Sequence, residues 1–355
     1  MIFLLHIGEF RYHFTAFLAK QYVVSIPKHR EGVQQPMDNP GKHCKIWAVG
    51  GGKGGTGKSF VTSSTGTCLA LDGNKTILID ADLGGANLHS FFGLNKPRYS
   101  LSDFFDKKIP LQDIIVPSGI ANLGLITGSI ASLDSEGINY AQKQKLFRHI
   151  RSLDADHILI DLGAGTHINT LDTFLLADKM IVVTTPEITS LENMYQFIKS
   201  VYFRKMKFIF KTYDLNTTVQ ETWKNRASFN IRSLKELIAY LKESSVRIRD
   251  IFDHEMSGFV VHIILNQVRT TKDILVGENL KSVCMNFLGL PVVYTGYCRQ
   301  DEAVRDNINS KEPFLIFNRT SPVVKEIRTL TENIITGTHL SVRKELANGS
   351  LPKIL

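Results

Sequence analysis

The run Gly52-Lys53-Gly54-Gly55-Thr56-Gly57-Lys58-Ser59 satisfies the spacing G-x-x-x-x-G-K-[ST]. Glycines at this spacing let successive backbone N–H groups turn inward around an anion, and a helix starting at the end of the run adds its positive dipole. Lys58 is expected to reach β- and γ-phosphate oxygens and Ser59 to place its hydroxyl on Mg²⁺. Phe60 completes the binding run. Two further segments end short apolar stretches with carboxylates. One is Asp80-Ala81-Asp82-Leu83-Gly84-Gly85-Ala86-Asn87-Leu88, and the other is Ile158-Leu159-Ile160-Asp161-Leu162-Gly163-Ala164-Gly165. A carboxylate at the C-terminal end of a parallel strand sits where ligands bind in such sheets. Asp161 is expected to hold a Mg²⁺-bound water, and Gly163 and Gly165 suit a loop that reports the γ-phosphate.

Chemistry of this kind needs a scaffold that brings several strand ends together. Short apolar, β-branched runs recur at 46–49, 76–79, 123–126, 157–160, 180–183, 260–265 and 291–294. Most are continuously apolar, as strands covered on both faces are. Helix-length segments lie between them, including 140–151 and 191–205, the latter opened by the T-x-x-E box Thr189-Ser190-Leu191-Glu192. The alternation predicts an α/β fold with a doubly wound, mostly parallel sheet. Residues 207–257 interrupt it: Leu234, Leu237, Ile238 and Leu241 fall on one helical face, predicting a small helical insertion packed on the sheet domain. Ser321-Pro322 caps a last helix with the stripe Val323, Ile327, Leu330 and Ile334. The expected organisation is an irregular extension over 1–44, an ATPase domain over 45–337 and a tail over 338–355.

The second lysine in the glycine run, Lys53, makes it K-G-G-x-G-K-[ST], and the chain thereby resembles the MinD/ParA/Mrp class of deviant Walker A ATPases. The D-A-D-L-G-x-A-N pattern from Asp80 is similar to that of MinD and of the FlhG/FleN-like branch, which controls flagellar number. The resemblance implies an ATP- and Mg²⁺-dependent hydrolase whose Lys53 crosses a face-to-face homodimer to the partner's nucleotide. It further implies that Asp82 orients the attacking water, that Asp80 supports the Mg²⁺ shell, and that Asn266 reads adenine. An amide at that place can pair bidentately with adenine's edge and favour ATP over GTP. Residues 297–301 are a further candidate for the base pocket, and Thr184-Thr185-Pro186-Glu187 also matches. Many relatives carry D-x-P-A-G where this chain has Asp161-Leu162-Gly163-Ala164-Gly165, so Gly163 replaces a proline and should loosen that switch.

Composition narrows the partners. The net charge is +8, of which residues 1–45 carry +3 and residues 203–257 carry +4, leaving +1 for the rest. So nearly neutral a body makes nonspecific DNA, the partner of a ParA-like partition ATPase, the lesser alternative. Cys44, Cys68, Cys284 and Cys298 are scattered with no C-x-x-C pair, so an iron–sulfur carrier is disfavoured. No window is long and apolar enough for a membrane span, and residues 1–11 do not read as an export signal. The expectation is a cytoplasmic protein, with peripheral attachment at the inner membrane face as a candidate. Its partners would be a second copy of itself and a protein of flagellar or polar machinery. Residues 1–36 precede Met37, a plausible natural start, and are expected to be dispensable. The competing reading makes Phe10, Tyr12, Phe14 and Phe17 partner anchors.

Overall fold

The computed structural model describes residues 44–82, 88–95, 97–128, 140–340 and 342. The extension with its candidate start at Met37, residues 83–87 of the second motif, and the tail beyond 342 lie outside the described residues. The chain folds as two compact units. One holds Cys44–Lys205 and Val260–Leu355, the other Met206–Phe259.

The first unit is built on an eight-stranded sheet. Its strands are β1 (Lys45–Gly50), β2 (Thr76–Ala81), β3 (Val116–Pro117), β4 (Leu123–Ile126), β5 (His157–Leu162), β6 (Lys179–Thr184), β7 (Val261–Val268) and β8 (Val292–Arg299). Their order is β3-β4-β2-β5-β1-β6-β7-β8, and every pairing is parallel except that of β3 with β4. Ile46, Leu78, Leu159, Val182 and Ile263 are at most 1% exposed, which is why these strands read as unbroken apolar runs. Register places the site. Val49 of β1 lies opposite Asp161 of β5, which in turn lies opposite Asp80 of β2. Both carboxylates therefore belong to the strands themselves, which run past the expected ends at 79 and 160.

Around the sheet lie α1 (Lys58–Leu71), α2 (Leu101–Asp106), α3 (Tyr140–Arg151), α4 (Ile168–Leu175) and α5 (Ile188–Thr212). Helix α1 has little amphipathic character because almost all of it is buried. It passes so close to β2 that a Cβ on Gly66 would stand 2.4 Å from Leu78 Cδ2. The T-x-x-E box expected to open α5 at Thr189 does not do so: the helix starts at Ile188, directly after the Pro186-Glu187 turn. Thr189 Oγ1 accepts from Lys53 Nζ, while Ser190 Oγ accepts the Thr185 N–H at 3.1 Å.

The second unit carries α6 (Asn216–Lys224), α7 (Leu234–Ser244) and α8 (Val246–Met256). The expected stripe is sound, with Leu234, Leu237 and Leu241 at 0–1% exposure and Ile238 half-buried. Ser233 and Ser245 cap α7 and α8 by accepting the Glu236 and Ile248 N–H groups.

The first unit is completed by α9 (Thr271–Leu288), α10 (Glu302–Ser310), α11 (Phe314–Phe317) and α12 (Pro322–Thr336). The whole expected stripe of α12 is 0–1% exposed, so it is core and not a lipid-binding face. The expected tail begins attached to the sheet: the Leu340 N–H donates to Tyr294 O at 2.8 Å, and Leu340 and Val342 are buried. Among the described residues, no helix is long and apolar enough to cross a membrane.

Candidate nucleotide site

The glycine run leaves β1 and enters α1 as a loop closed in by the Asn266 side chain of β7 and by main-chain atoms of β6 and α5. Gly57 precedes α1 at φ +87°, a region only glycine adopts freely, and a Cβ there would stand 2.1 Å from Asn266 Nδ2. A Cβ on Gly52 would stand 2.0 Å from Asn193 O. Gly54 and Gly55 are different: a Cβ on either would meet nothing within 4 Å. At those two positions the backbone is open to a ligand instead of packed against the protein.

The loop opens onto a cleft of ≈ 620 Å³, within the range of about 300–1,000 Å³ usual for small-molecule sites. Gly54, Gly55, Gly57, Lys58, Ser59 and Phe60 line one end, with Asp82 and Ala164 beside them. Asn266, Gln267, Arg299, Gln300, Arg305 and Phe91 are among those lining the rest. Gly52, Lys53, Thr56, Asp80 and Asp161 stand behind or beside the cleft without lining it.

Three buried charges converge under the loop. Lys58 is 8% exposed, and its Nζ donates to Lys53 O at a long 3.3 Å. Burial lowers its pKa, and Asp161 and Asp82 oppose that shift. Asp161 Oδ1 accepts from Thr62 Oγ1 at 3.3 Å. Burial pushes the Asp161 carboxyl up to about 6, against the pull of the Ser59 hydroxyl and the Lys58 ammonium. Asp80 is pushed up to about 7, again by burial, against the Leu88 N–H. These groups fit a phosphate–divalent-cation pair. Among the described residues the ammonium makes one weak bond, and a buried carboxylate hydrogen-bonded to the loop serine is a ready cation ligand. Of the expected cation ligands, Ser59 and Asp161 stand together, the serine hydroxyl donating to the carboxylate, and could hold a divalent cation between them. Asp80 sits differently, with both oxygens already accepting backbone N–H groups.

The loop after β5 reaches back to the glycine run, Gly165 donating its N–H to Gly51 O at 3.2 Å. Gly163, where a proline is usual, leaves room for Asp82: a Cβ there would stand 3.0 Å from Asp82 Oδ1. The Asp82 carboxylate thus lies close against this strand end. Lys53 lies on the outer rim, its side chain 41% exposed, donating to Thr189 Oγ1 at 3.2 Å and pairing with Glu187 Oε2 at 3.6 Å.

A β-bulge between Leu265 and Val268 turns two amides onto the same loop. Asn266 Nδ2 donates to Thr56 O at 2.9 Å, and Gln267, at φ +58°, donates from Nε2 to Gly55 O at 3.2 Å. The bond to Thr56 O fixes which end of the Asn266 amide is nitrogen and leaves Oδ1 as its free acceptor. Of the expected 297–301 segment, Arg299, Gln300 and Asp301 line the cleft and Tyr297 does not. Arg299 is held by Glu326, with Nε donating to Oε1 at 2.7 Å and the main-chain N–H to Oε2 at 2.9 Å. Gln267, Arg305, Val304 and Phe91 went unread in the sequence. Gln267, next to Asn266, carried the one available signal. The cysteines are all buried, and burial holds Cys44 at about 11 and Cys284 at about 12.

A family model described as ParA, NUBPL iron-transfer P-loop NTPase, matches residues 42–210. The septum site-determining protein MinD of Helicobacter pylori is 36% identical over 152 residues, 42% of this chain and 55% of that protein. The antiactivator FleN of Pseudomonas aeruginosa is 30% identical over 157 residues, 44% of this chain and 55% of that protein. The chain spans about half the length of the curated relatives it matches. Among solved structures, MinD of Pyrococcus horikoshii, complexed with Mg-ADP, superposes with TM-score 0.54 at 21% identity, covering 87% of this chain and 99% of that one. At that identity the likeness speaks for the fold.

Proposed function

Residues 42–210 are a ParA/MinD-family P-loop NTPase domain, and from that premise we propose that the chain is a Mg²⁺-dependent ATP hydrolase working as an ATP-dependent dimerisation switch. The observation that carries the proposal is the contrast between the loop's two lysines. Lys58 is buried and lines the cleft; Lys53 sits half-exposed on the rim, tied among the described residues to the exposed side chains of Glu187 and Thr189. In this reading the first binds phosphate within its own chain, and the second leaves its partners and serves a nucleotide on a facing copy.

In this reading the backbone amides of 54–58 and the Lys58 ammonium hold the phosphates. Asp82, exposed to the cleft, orients the attacking water. Mg²⁺, held by Ser59 and Asp161, would neutralise charge building on the transferring phosphoryl group. Asn266 Oδ1 accepts from the exocyclic amine of adenine and meets a repulsive carbonyl in guanine. One contact of this kind replaces the bidentate pairing expected from sequence, because Nδ2 is spent on Thr56 O. Release of the Gly165 N–H from Gly51 O would let the loop after Asp161 report whether the γ-phosphate is present.

The finer role we infer is placement or number control of a cell-surface structure such as flagella, through a protein partner that senses the dimer. Its support is the Asp80–Leu88 run and the similarity to FleN. Sizing chromatography with ATP and Mg²⁺ tests the switch. Asp82→Ala should accumulate as a dimer, and adding Lys53→Ala should return it to monomer. An Asp82→Ala protein that binds ATP and stays monomeric would sink the switch. Flagellar counts unchanged in a strain lacking the chain would sink the finer role alone.

A further inference from the structure

Glu326 lies on α12 between Val323 and Ile327 of the core stripe, its side chain only 11% exposed, and the helix packs against β8. Both of its oxygens are engaged by Arg299, at the end of β8. Oε2 accepts the Arg299 main-chain N–H at 2.9 Å, while Oε1 accepts from Nε at 2.7 Å and meets Nη2 at 2.7 Å. Burial raises the Glu326 pKa, and the bonds to Arg299 oppose that shift. The main-chain bond alone would tie the strand end to the helix. The side-chain bonds fix something further, the plane of the guanidinium.

Arg299 lines the cleft, and register sets it opposite Val268 of β7, two positions beyond Asn266. Among the described residues its guanidinium is bonded to Glu326 alone and through one edge, which leaves its flat faces and Nη1 unused. We propose that Arg299 is a base-contact residue, a planar cation packed against the purine ring of the bound nucleotide, and that Glu326 is the positioning residue that holds it there. Guanidinium groups stack on aromatic faces, and one pinned in advance loses little freedom when the base arrives. Its charge is already matched by Glu326, and it shares its part of the cleft with Asn266, not with Lys58; both facts favour the base over the phosphates. The proposal rests on reading the cleft as an ATP site.

The test uses the full chain, with binding of ATP, ribose 5′-triphosphate and tripolyphosphate measured by calorimetry in Mg²⁺. The variants are Arg299→Met, Glu326→Gln and the two together. Arg299→Met should weaken ATP binding about tenfold and leave the two ligands without a base within about twofold of the parent. Glu326→Gln, which releases the guanidinium without removing it, should cost about threefold for ATP alone. The double variant should be no weaker than Arg299→Met within about twofold, because Glu326 acts on the base only through Arg299. Should Arg299→Met fail to fold with its carboxylate left unpaired, the double variant decides, since it buries no lone charge and keeps an acceptor for the main-chain N–H. Equal losses for all three ligands would make the pair a brace for the cleft wall and overturn the proposal, as would unchanged ATP affinity in the double variant. A loss shared by ATP and ribose 5′-triphosphate but not tripolyphosphate would put Arg299 on the sugar and overturn it too. A parent chain that binds neither ATP nor tripolyphosphate would remove the nucleotide reading and this proposal with it. A parent that binds all three ligands alike would remove this proposal alone.

Discussion

At one end of the cleft, Gly54, Gly55 and Gly57 to Phe60 all come from one short run of the chain, with its buried lysine among them. At the other, Asn266 and Gln267 come from β7, Arg299 from β8, Arg305 from α10, and Phe91 from a turn after β2. In the proposed reading the first end recognises by main-chain N–H groups, which need glycines at fixed spacing and little else. The second recognises by side chains that only the fold assembles. Grip should therefore concentrate at the phosphate end, and discrimination at the other.

The strongest test of that division is Lys58→Ala. Removing the buried cation should weaken ATP binding about a hundred- to a thousandfold, the scale of losing one partner of a buried charge pair. Calorimetry showing unchanged affinity would mean the phosphate end does not supply the grip.

Asp161→Asn tests the same end through stability. Burial holds the folded-state pKa of Asp161 at about 6, above an unfolded value of about 3.9. The folded state therefore binds that proton more tightly, and stability from this group is lost as pH rises from about 4 through 6. The asparagine variant should thus be more stable than the parent at pH 8 by about 1–3 kcal/mol without nucleotide. The gain should shrink as pH falls below 6. In ATP and Mg²⁺ the order should reverse, because the variant cannot hold the cation. Urea unfolding at pH 8, 6.5 and 5, with and without ATP and Mg²⁺, checks both statements. A variant no more stable than the parent at pH 8 would show that the buried charge is already compensated.

Asn266→Ala sharpens the comparison from the far end. The ATP-to-GTP preference should fall about tenfold, the cost of one hydrogen bond to a buried group. If ATP and GTP affinities instead fall together, Asn266 only braces the loop through Thr56 O, and the two ends are not separable. The smallest effect is expected of Gln267→Ala. Its bond to Gly55 O is exposed, so ATP affinity should drop only about two- to threefold with the ATP-to-GTP ratio unchanged.

Sequence by itself was enough to find the glycine run before α1, the alternating strands, the strand-end carboxylates Asp80, Asp82 and Asp161, and the stripes of α7 and α12. Each is a local signal, a fixed spacing or a periodicity within one element. Tertiary structure decided what those residues do for one another. Register across β1, β5 and β2 put Asp161 beside Asp80, and hydrogen bonding then split them, one toward Ser59 and the other toward the ends of its own loop. The same holds for Thr189, whose T-x-x-E spacing reads as a cap but whose hydroxyl is engaged by Lys53, 136 positions away in the chain. Gly163 gained a reason only when Asp82 was found 3.0 Å from its missing Cβ. The far end of the cleft stayed dark for the same physical cause: side chains from separated elements share no spacing, and a bulge in β7 leaves no periodic mark that a chain read in one dimension could show.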